Sequence, residues 1–419
     1  MTSATYVLAP GFENAGRRRL LPCLLLVAAL TASIPLENST ILPSIGSISR
    51  LLGIVTSGAV IMDAAVSTGF RRGHVAHLLL AAFVIWSAWT YAWSINPPLT
   101  SERIQTNLQL LVFAWVIWQS VRSLKDLRVV LQGFVLGSCF AAILIVINSQ
   151  ERRAYDGIRY SGAGADPNEL GLTIVISILM AYYLSTTAVT KRARILWLLP
   201  LPLYFVGVIL TVSRAAFITT TIALIGISIW HLRTSSRMRF APIVAGVLLL
   251  GAGAVFVPKA NIERIASIES EISTGRIGKR GRIWKAGIEL FENRPMLGTG
   301  AATFAYAAEP LIGRDLAAHN TYVSVLTETG LIGFCCFGLA LITFAIMAAR
   351  LNTNECFLWL TVLFVWGVGV FSLTFEYKKA TWIIFSLLIA TAGASETQQT
   401  RSPAIKMPTY RRTGVLSLR

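Results

Sequence analysis

The sequence predicts an all-α polytopic membrane protein of about twelve transmembrane helices. Three observations carry that reading. Of 419 residues, 54% are hydrophobic and only 14% charged, whereas a soluble domain carries about 25% charged residues. Apolar runs approaching the ~20 residues of a perpendicular span recur along the chain. Every second connection between them is basic, as expected of loops that return to one side of a bilayer.

The apolar windows centre near 20–34, 51–66, 75–93, 107–121, 129–148, 168–188, 195–212, 214–232, 240–257, 321–349, 355–374 and 379–394. Basic clusters open the series at Arg17, Arg18 and Arg19 and return at Arg71–Arg72 and at Arg122, Lys125 and Arg128. They continue at Lys191–Arg194, Arg233–Arg239, Arg350 and the tail from Arg401 to Arg419. By the positive-inside rule these loops and both termini are cytoplasmic. The chain thus divides into a tail 1–19, helices one to nine over 20–257, a large outer loop 258–320, helices ten to twelve over 321–394, and a tail 395–419. The net charge of +17 is mostly a topology signal and not a nucleic-acid footprint. Arg17–Arg19 before an apolar run has the shape of a signal peptide, but no A-x-A site follows, so a retained first helix is expected. The five cysteines lie in apolar stretches without metal or CxxC spacing and read as small buried hydrophobes.

Three outer segments hold polar residues. Ser149–Pro167 contains Arg152, Arg153, Asp156, Arg159 and Asp166. Thr211–Ala216 joins two long apolar runs. The loop 258–320 is the longest connection, and loops of that length are usually functional. Within it, Trp284, Ile288 and Phe291 recur at i, i+4 and i+7 over 280–293, which predicts an amphipathic helix in the interface plane or a lid without membrane contact. Pro295 follows its end, and Gly298 and Gly300 predict a turn where backbone can approach a ligand.

No DxD, HExxH, G-x-S-x-G or Walker pattern occurs. Of four histidines, His74, His77 and His231 fall on the basic side, and only His319 falls in an outer loop. Arg214, between two apolar runs, either snorkels or offers its five-donor fork to a phosphate. Arg282 stands among Arg276, Lys279, Arg280 and Lys285, a cluster suited to anionic lipid or to a diphosphate clamp. Asp166, Pro167 and Glu169 form a capping-box pattern. Glu328 lies about 12 Å into its helix and needs a basic partner, for which Arg214 is the expectation.

Ser213-Arg214-Ala215-Ala216, Gly281-Arg282-Ile283-Trp284, Pro295-Met296-Leu297-Gly298-Thr299-Gly300, His319-Asn320-Thr321-Tyr322 and Glu328-Thr329-Gly330 occur in that order. Together with Asp166-Pro167-Asn168 they resemble the O-antigen ligase/polymerase superfamily, most firmly over 160–335. The resemblance implies a GT-C-like, metal-independent, inverting glycosyltransferase of the bacterial inner membrane that needs no cofactor and works on the periplasmic face. Its donor would be a glycan on undecaprenyl diphosphate. Arg214 and Arg282 would engage the diphosphate and His319 the acceptor hydroxyl, with Arg159, Arg280, Asn320, Tyr322 and Glu328 as further substrate contacts. A ligase acting on lipid A-core is the leading expectation, and a Wzy-type polymerase acting on another glycan the alternative. A secondary transporter or flippase is the reading from another class, but no repeat between halves supports it.

Overall fold

The computed structural model describes residues 10–37, 41–42, 46–151, 166–234, 246, 251 and 279–401. The helices of the first half are α1 (Pro10–Ser33), α2 (Ile48–Asp63), α3 (Val75–Trp89), α4 (Pro97–Ser120), α5 (Leu124–Glu151) and α6 (Pro167–Thr186). Then follow α7 (Lys191–Leu198), α8 (Leu201–Leu210), α9 (Arg214–Thr234), α10 (Lys279–Asn293), α11 (Phe304–Ile312), α12 (Thr321–Ala349), α13 (Thr353–Gly369) and α14 (Lys379–Arg401). A minimal ladder pairs β1 (Ile41–Leu42) with β2 (Gly46–Ser47) antiparallel.

Among the described residues, nine helical segments are long and apolar enough to cross a membrane. The protein is therefore an all-α, multi-pass membrane protein. The window 240–257 lies outside the described residues apart from two single positions. The window 195–212 resolves into α7 and α8 around Pro200 and Pro202, which cannot donate to a continuous helix. The largest correction concerns α4. It starts ten residues before the expected 107–121, with Asn96 Oδ1 accepting from Leu99 N at 3.4 Å and Pro97 in the first turn. Its opening half is polar, so hydropathy alone misses it.

Helix α6 is buried around most of its circumference and forms the centre of the bundle. The α13–α14 seam is tied by indole donors: Trp359 Nε1 to Thr391 Oγ1 at 3.1 Å and Trp366 Nε1 to Thr381 Oγ1 at 2.9 Å. Such cross-helix bonds contribute about 0.6–2 kcal/mol each in membrane bundles. The two bundle ends differ in character. At one, Arg71 Nη1 donates to the carbonyls of Trp118 and Val121, and Tyr183 donates to Glu355. The basic connections at 71–72 and 122–128 sit there. At the other end meet the starts of α4, α6, α9 and α12, the segments 294–320 and 373–378, and α10 and α11.

Helix α12 is broken at Gly330, whose φ/ψ of 66°/−172° is not helical. The backbone groups released there are taken by the Pro-Met-Leu-Gly-Thr-Gly loop. Thr299 N donates to Thr327 O at 3.0 Å, Gly300 N to Glu328 O at 2.9 Å and Leu331 N to Pro295 O at 2.8 Å. Trp86 Nε1 takes the Thr329 carbonyl at 2.8 Å. Every backbone group at membrane depth must be satisfied inside the protein, and this loop does that for the break. Gly298 and Gly330 therefore face each other's backbone and not a ligand, contrary to the expectation for Gly298. A Cβ on Gly330 would lie 2.3 Å from Met296 O. Gly330→Ala is expected to cost at least ~1–3 kcal/mol from backbone strain alone, read as a lowered unfolding temperature in detergent; an unchanged temperature would contradict the role given to the break.

Helix α10 is amphipathic as expected, but its docked face is a different one. Ile283, Ala286 and Leu290 pack with Phe304, Ala308 and Ala318, and Gly287 O accepts from Thr327 Oγ1 at 3.0 Å. Ile288 is left exposed. With Met296, Leu297, Trp89 and Tyr91, also exposed, it gives this end of the bundle an apolar and aromatic rim suited to the bilayer interface.

Candidate active site

The site begins with the Asp-Pro-Asn and Ser-Arg segments, which are two halves of one junction. Asp166 Oδ1 accepts from Asn168 N at 2.7 Å and Glu169 N at 3.3 Å, capping α6. Glu169 does not complete a capping box; its carboxylate pairs with Lys378 at 3.0 Å. Asn168 Oδ1 accepts from Ser213 Oγ at 2.8 Å, and Ser213 Oγ also accepts from Ala216 N. Val212 just before has φ 48°, a left-handed conformation costly for a β-branched residue. The strained turn and the Ser213 bridge fix where α9 starts, and with it the Cα of Arg214.

His319 is positioned just as tightly. Its own φ is 45°, and the residues on each side are tied down. Trp284 Nε1 donates to Ala318 O at 3.1 Å, which gives the Trp of the Gly-Arg-Ile-Trp segment its job. Asn320 is buried and caps α12, accepting from Tyr322 N at 2.9 Å and Val323 N at 3.2 Å. Strain of this kind persists only where the surroundings over-determine it.

The electrostatics bring four residues together. Burial lowers the Arg280 pKa first, the Arg214 charge lowers it further, and Asp166 opposes both. Burial likewise lowers the His319 pKa, followed by the Arg280 charge, again opposed by Asp166. Arg214, Arg280, His319 and Asp166, from α9, α10, the turn before α12 and the cap of α6, thus share one electrostatic environment. Two guanidinium groups gathered here with one carboxylate leave a local excess of positive charge, suited to an anion. The lowered pKa keeps the His319 imidazole neutral at pH 7 and able to accept a proton. By ring NMR, His319 is expected to titrate below the ordinary ~6.5. Asp166→Asn keeps the cap but removes the opposing anion, so the value should fall further; a rise would contradict the arrangement.

Other expected residues fall elsewhere. Arg282 is exposed on α10, about 200° around the helix from Arg280 at 100° per residue; the loop arginine of the cluster is Arg280. Glu328 does not pair with Arg214. It is buried, its oxygens accept from Ala302 N at 2.7 Å and Phe304 N at 3.3 Å, and its ionic partner is Arg103 at 3.9 Å. Tyr322 OH donates to Gly367 O at 2.9 Å. Asn320, Tyr322 and Glu328 thus hold the scaffold of the site. Arg159 and Arg276 lie outside the described residues.

Sequence reading missed Arg103 and Glu376. Arg103 lies 3.7 Å from Glu376 and 3.6 Å over the Tyr377 ring, beside a cavity of about 10 Å³, room for about one water. One guanidinium faces two carboxylates here, and burial pushes the Glu376 pKa up. The available signal was Ser-Glu-Arg two residues after Asn-Pro-Pro, a helix start with a basic residue pointing inward.

A family profile described as O-antigen ligase matches residues 199–338, the stretch that carries Arg214, α10 and His319. The Exopolysaccharide production protein ExoQ of Rhizobium meliloti (strain 1021) is 26% identical over 297 residues. Over these residues the chain is similar to the O-antigen ligase/Wzy-type polymerase superfamily. The aligned region covers 64% of this chain and 65% of that relative, just under two thirds of the relative's length. The Ser-Arg, Gly-Arg-Ile-Trp and His-Asn segments all lie inside the matched region, and all three border the same cluster.

Proposed function

We propose that this protein is a polymerase-type glycan transferase, moving a glycan from a polyprenyl diphosphate onto a hydroxyl of a second lipid-linked saccharide. What supports the proposal is the mutual electrostatic influence of Arg214, Arg280 and His319, carried by segments at the bundle end opposite the basic connections. By the positive-inside rule that end faces outward, which puts the site at the outer face of the inner membrane with both termini inside. The ligase reading came first on sequence. The relative's printed association with exopolysaccharide production favours the polymerase alternative.

In the proposed reaction the acceptor oxygen attacks the anomeric carbon as the bond from that carbon to the diphosphate oxygen breaks. Attack opposite the leaving group inverts the centre. His319 takes the hydroxyl proton and releases it to water, while Arg214 and Arg280 hold the departing diphosphate. Fixed positive charge at the point where negative charge develops is commonly the largest catalytic contribution. The GT-C-like organisation belongs to the same proposal.

The test is a reconstitution. Purified protein in nanodiscs receives an undecaprenyl-diphosphate-linked repeat unit, either alone or with lipid A-core, in EDTA. A ladder of longer lipid-linked chains without added acceptor supports polymerisation. Transfer confined to lipid A-core would reinstate the ligase reading, and strict dependence on added divalent metal would count against the arginine clamp.

A further inference from the structure

A groove of about 950 Å³ runs between α1, α2, α4, α6 and α14, separate from the arginine cluster. Its walls change character along their length. Leu30, Ile34, Ile54, Leu108, Val112 and Phe113 form an apolar part; Glu102, Gln105, Thr106 and Gln109 form a polar stripe on α4. The stripe follows i, i+3, i+4, i+7 and so occupies one face of the helix. Gln109 lies ~18 Å along the axis from Pro97. Glu102, Gln105 and Gln109 are exposed to the groove, and neither glutamine amide has a hydrogen-bond partner among the described residues. Two unpartnered amides beside Glu102 and Thr106 favour an occupant with hydrogen-bonding groups.

The groove adjoins the site. Glu169, which lines it, lies three residues after Asp166 in the first turn of α6, and its Lys378 partner belongs to the segment that follows Glu376. The charges in its wall balance: Arg50, Lys378 and Lys379 stand against Glu37, Glu102 and Glu169, with Lys379 on Glu37 and Ser49 Oγ. A departing diphosphate needs an excess of positive charge, which Arg214 and Arg280 supply and this wall does not. Amides, hydroxyls and carboxylates in balance suit the hydroxyls of a sugar, and the apolar part suits a long chain.

We propose that this groove binds the acceptor, a second lipid-linked saccharide, with its sugars along the polar stripe of α4 and its chain along the apolar wall. The assignment rests on the transferase reading above. Gly53 lines the groove, and a Cβ there meets no atom within 4 Å, so the side chain of Gly53→Phe starts in open space and narrows the groove. Gly58 on the same helix is equally open but does not line the groove, so Gly58→Phe is the matched control.

The experiment measures transfer kinetics in nanodiscs with a polyprenyl-linked acceptor and with a soluble, tail-free version of the same saccharide. Gly53→Phe is expected to raise KM for the lipid-linked acceptor at least tenfold, leaving the donor KM and the tail-free acceptor unchanged, with Gly58→Phe at wild-type values. Wild-type kinetics in Gly53→Phe, or a rise in donor KM instead, would overturn the proposal. Labelling by a diazirine-tailed acceptor in an Arg214→Ala background reads occupancy without turnover. Labelling of α2 and α4 that Gly53→Phe abolishes supports the groove, and labelling that Gly53→Phe leaves intact sinks it. If wild-type protein is labelled but transfers nothing, the transferase reading fails and the groove stands as a lipid-linked saccharide site without its acceptor role.

Discussion

Arg280→Ala is expected to lower glycan transfer by about 10²–10³-fold, the range for removing one preorganised group from developing negative charge, while Arg282→Ala stays within about threefold of wild type. The two residues share a cluster in sequence but not a face of α10. Arg280 is partly buried and senses Arg214, His319 and Asp166, whereas Arg282 is exposed. Two guanidiniums beside the single Asp166 carboxylate leave an excess of positive charge, which the diphosphate of the proposed donor would neutralise. Arg280→Lys keeps the charge but loses the planar fork, so an intermediate loss is expected. Initial rates at saturating acceptor check the contrast. If Arg282→Ala is the crippled variant and Arg280→Ala is not, the assignment of the loop arginine made from the geometry is wrong.

Arg103→Leu is expected to destabilise the fold by about 3–5 kcal/mol, the usual cost of stranding a buried charge by removing its partner. Arg103 faces Glu328 and Glu376, both at least nine-tenths buried. Without it, two carboxylates share a site with no cation. Glu328 also secures the Ala302 and Phe304 amides, so its reorientation would release the loop that mends the break in α12. Glu376→Gln removes one of the two carboxylates that face the guanidinium and is expected to be mild. Combining Glu376→Gln with Arg103→Leu should recover part of the lost stability. Unfolding temperatures in detergent decide this, and equal temperatures for wild type and Arg103→Leu would refute the buried cluster.

The helical membrane architecture was legible because spanning length and basic connections are local properties of the chain. The outer half of α4 was not, because the polar stripe that lines the groove lowers its hydropathy below that of a lipid-facing span. Ser213, Trp284 and Asn320 stood in motifs that could be recognised, yet their jobs depend on contacts with Asn168, Ala318 and the first turn of α12. Spacing could place Arg280 and Arg282 on opposite sides of a helix but could not say which side turns toward Arg214. Arg214 as partner of Glu328 failed for a related reason. The true partner, Arg103, lies 225 residues away on a helix whose start hydropathy hides. His319 was legible as the histidine on the outer side, whereas its left-handed backbone and lowered pKa are products of packing.

The most direct measurement is glycan transfer from an undecaprenyl-diphosphate donor by purified wild type, His319→Ala, Arg214→Ala and Arg280→Ala, each first shown to unfold at the wild-type temperature. The expected result is turnover by wild type and a loss of at least a hundredfold in each variant. Full turnover by His319→Ala, or no transfer by folded wild-type protein to any lipid-linked acceptor, would contradict the account.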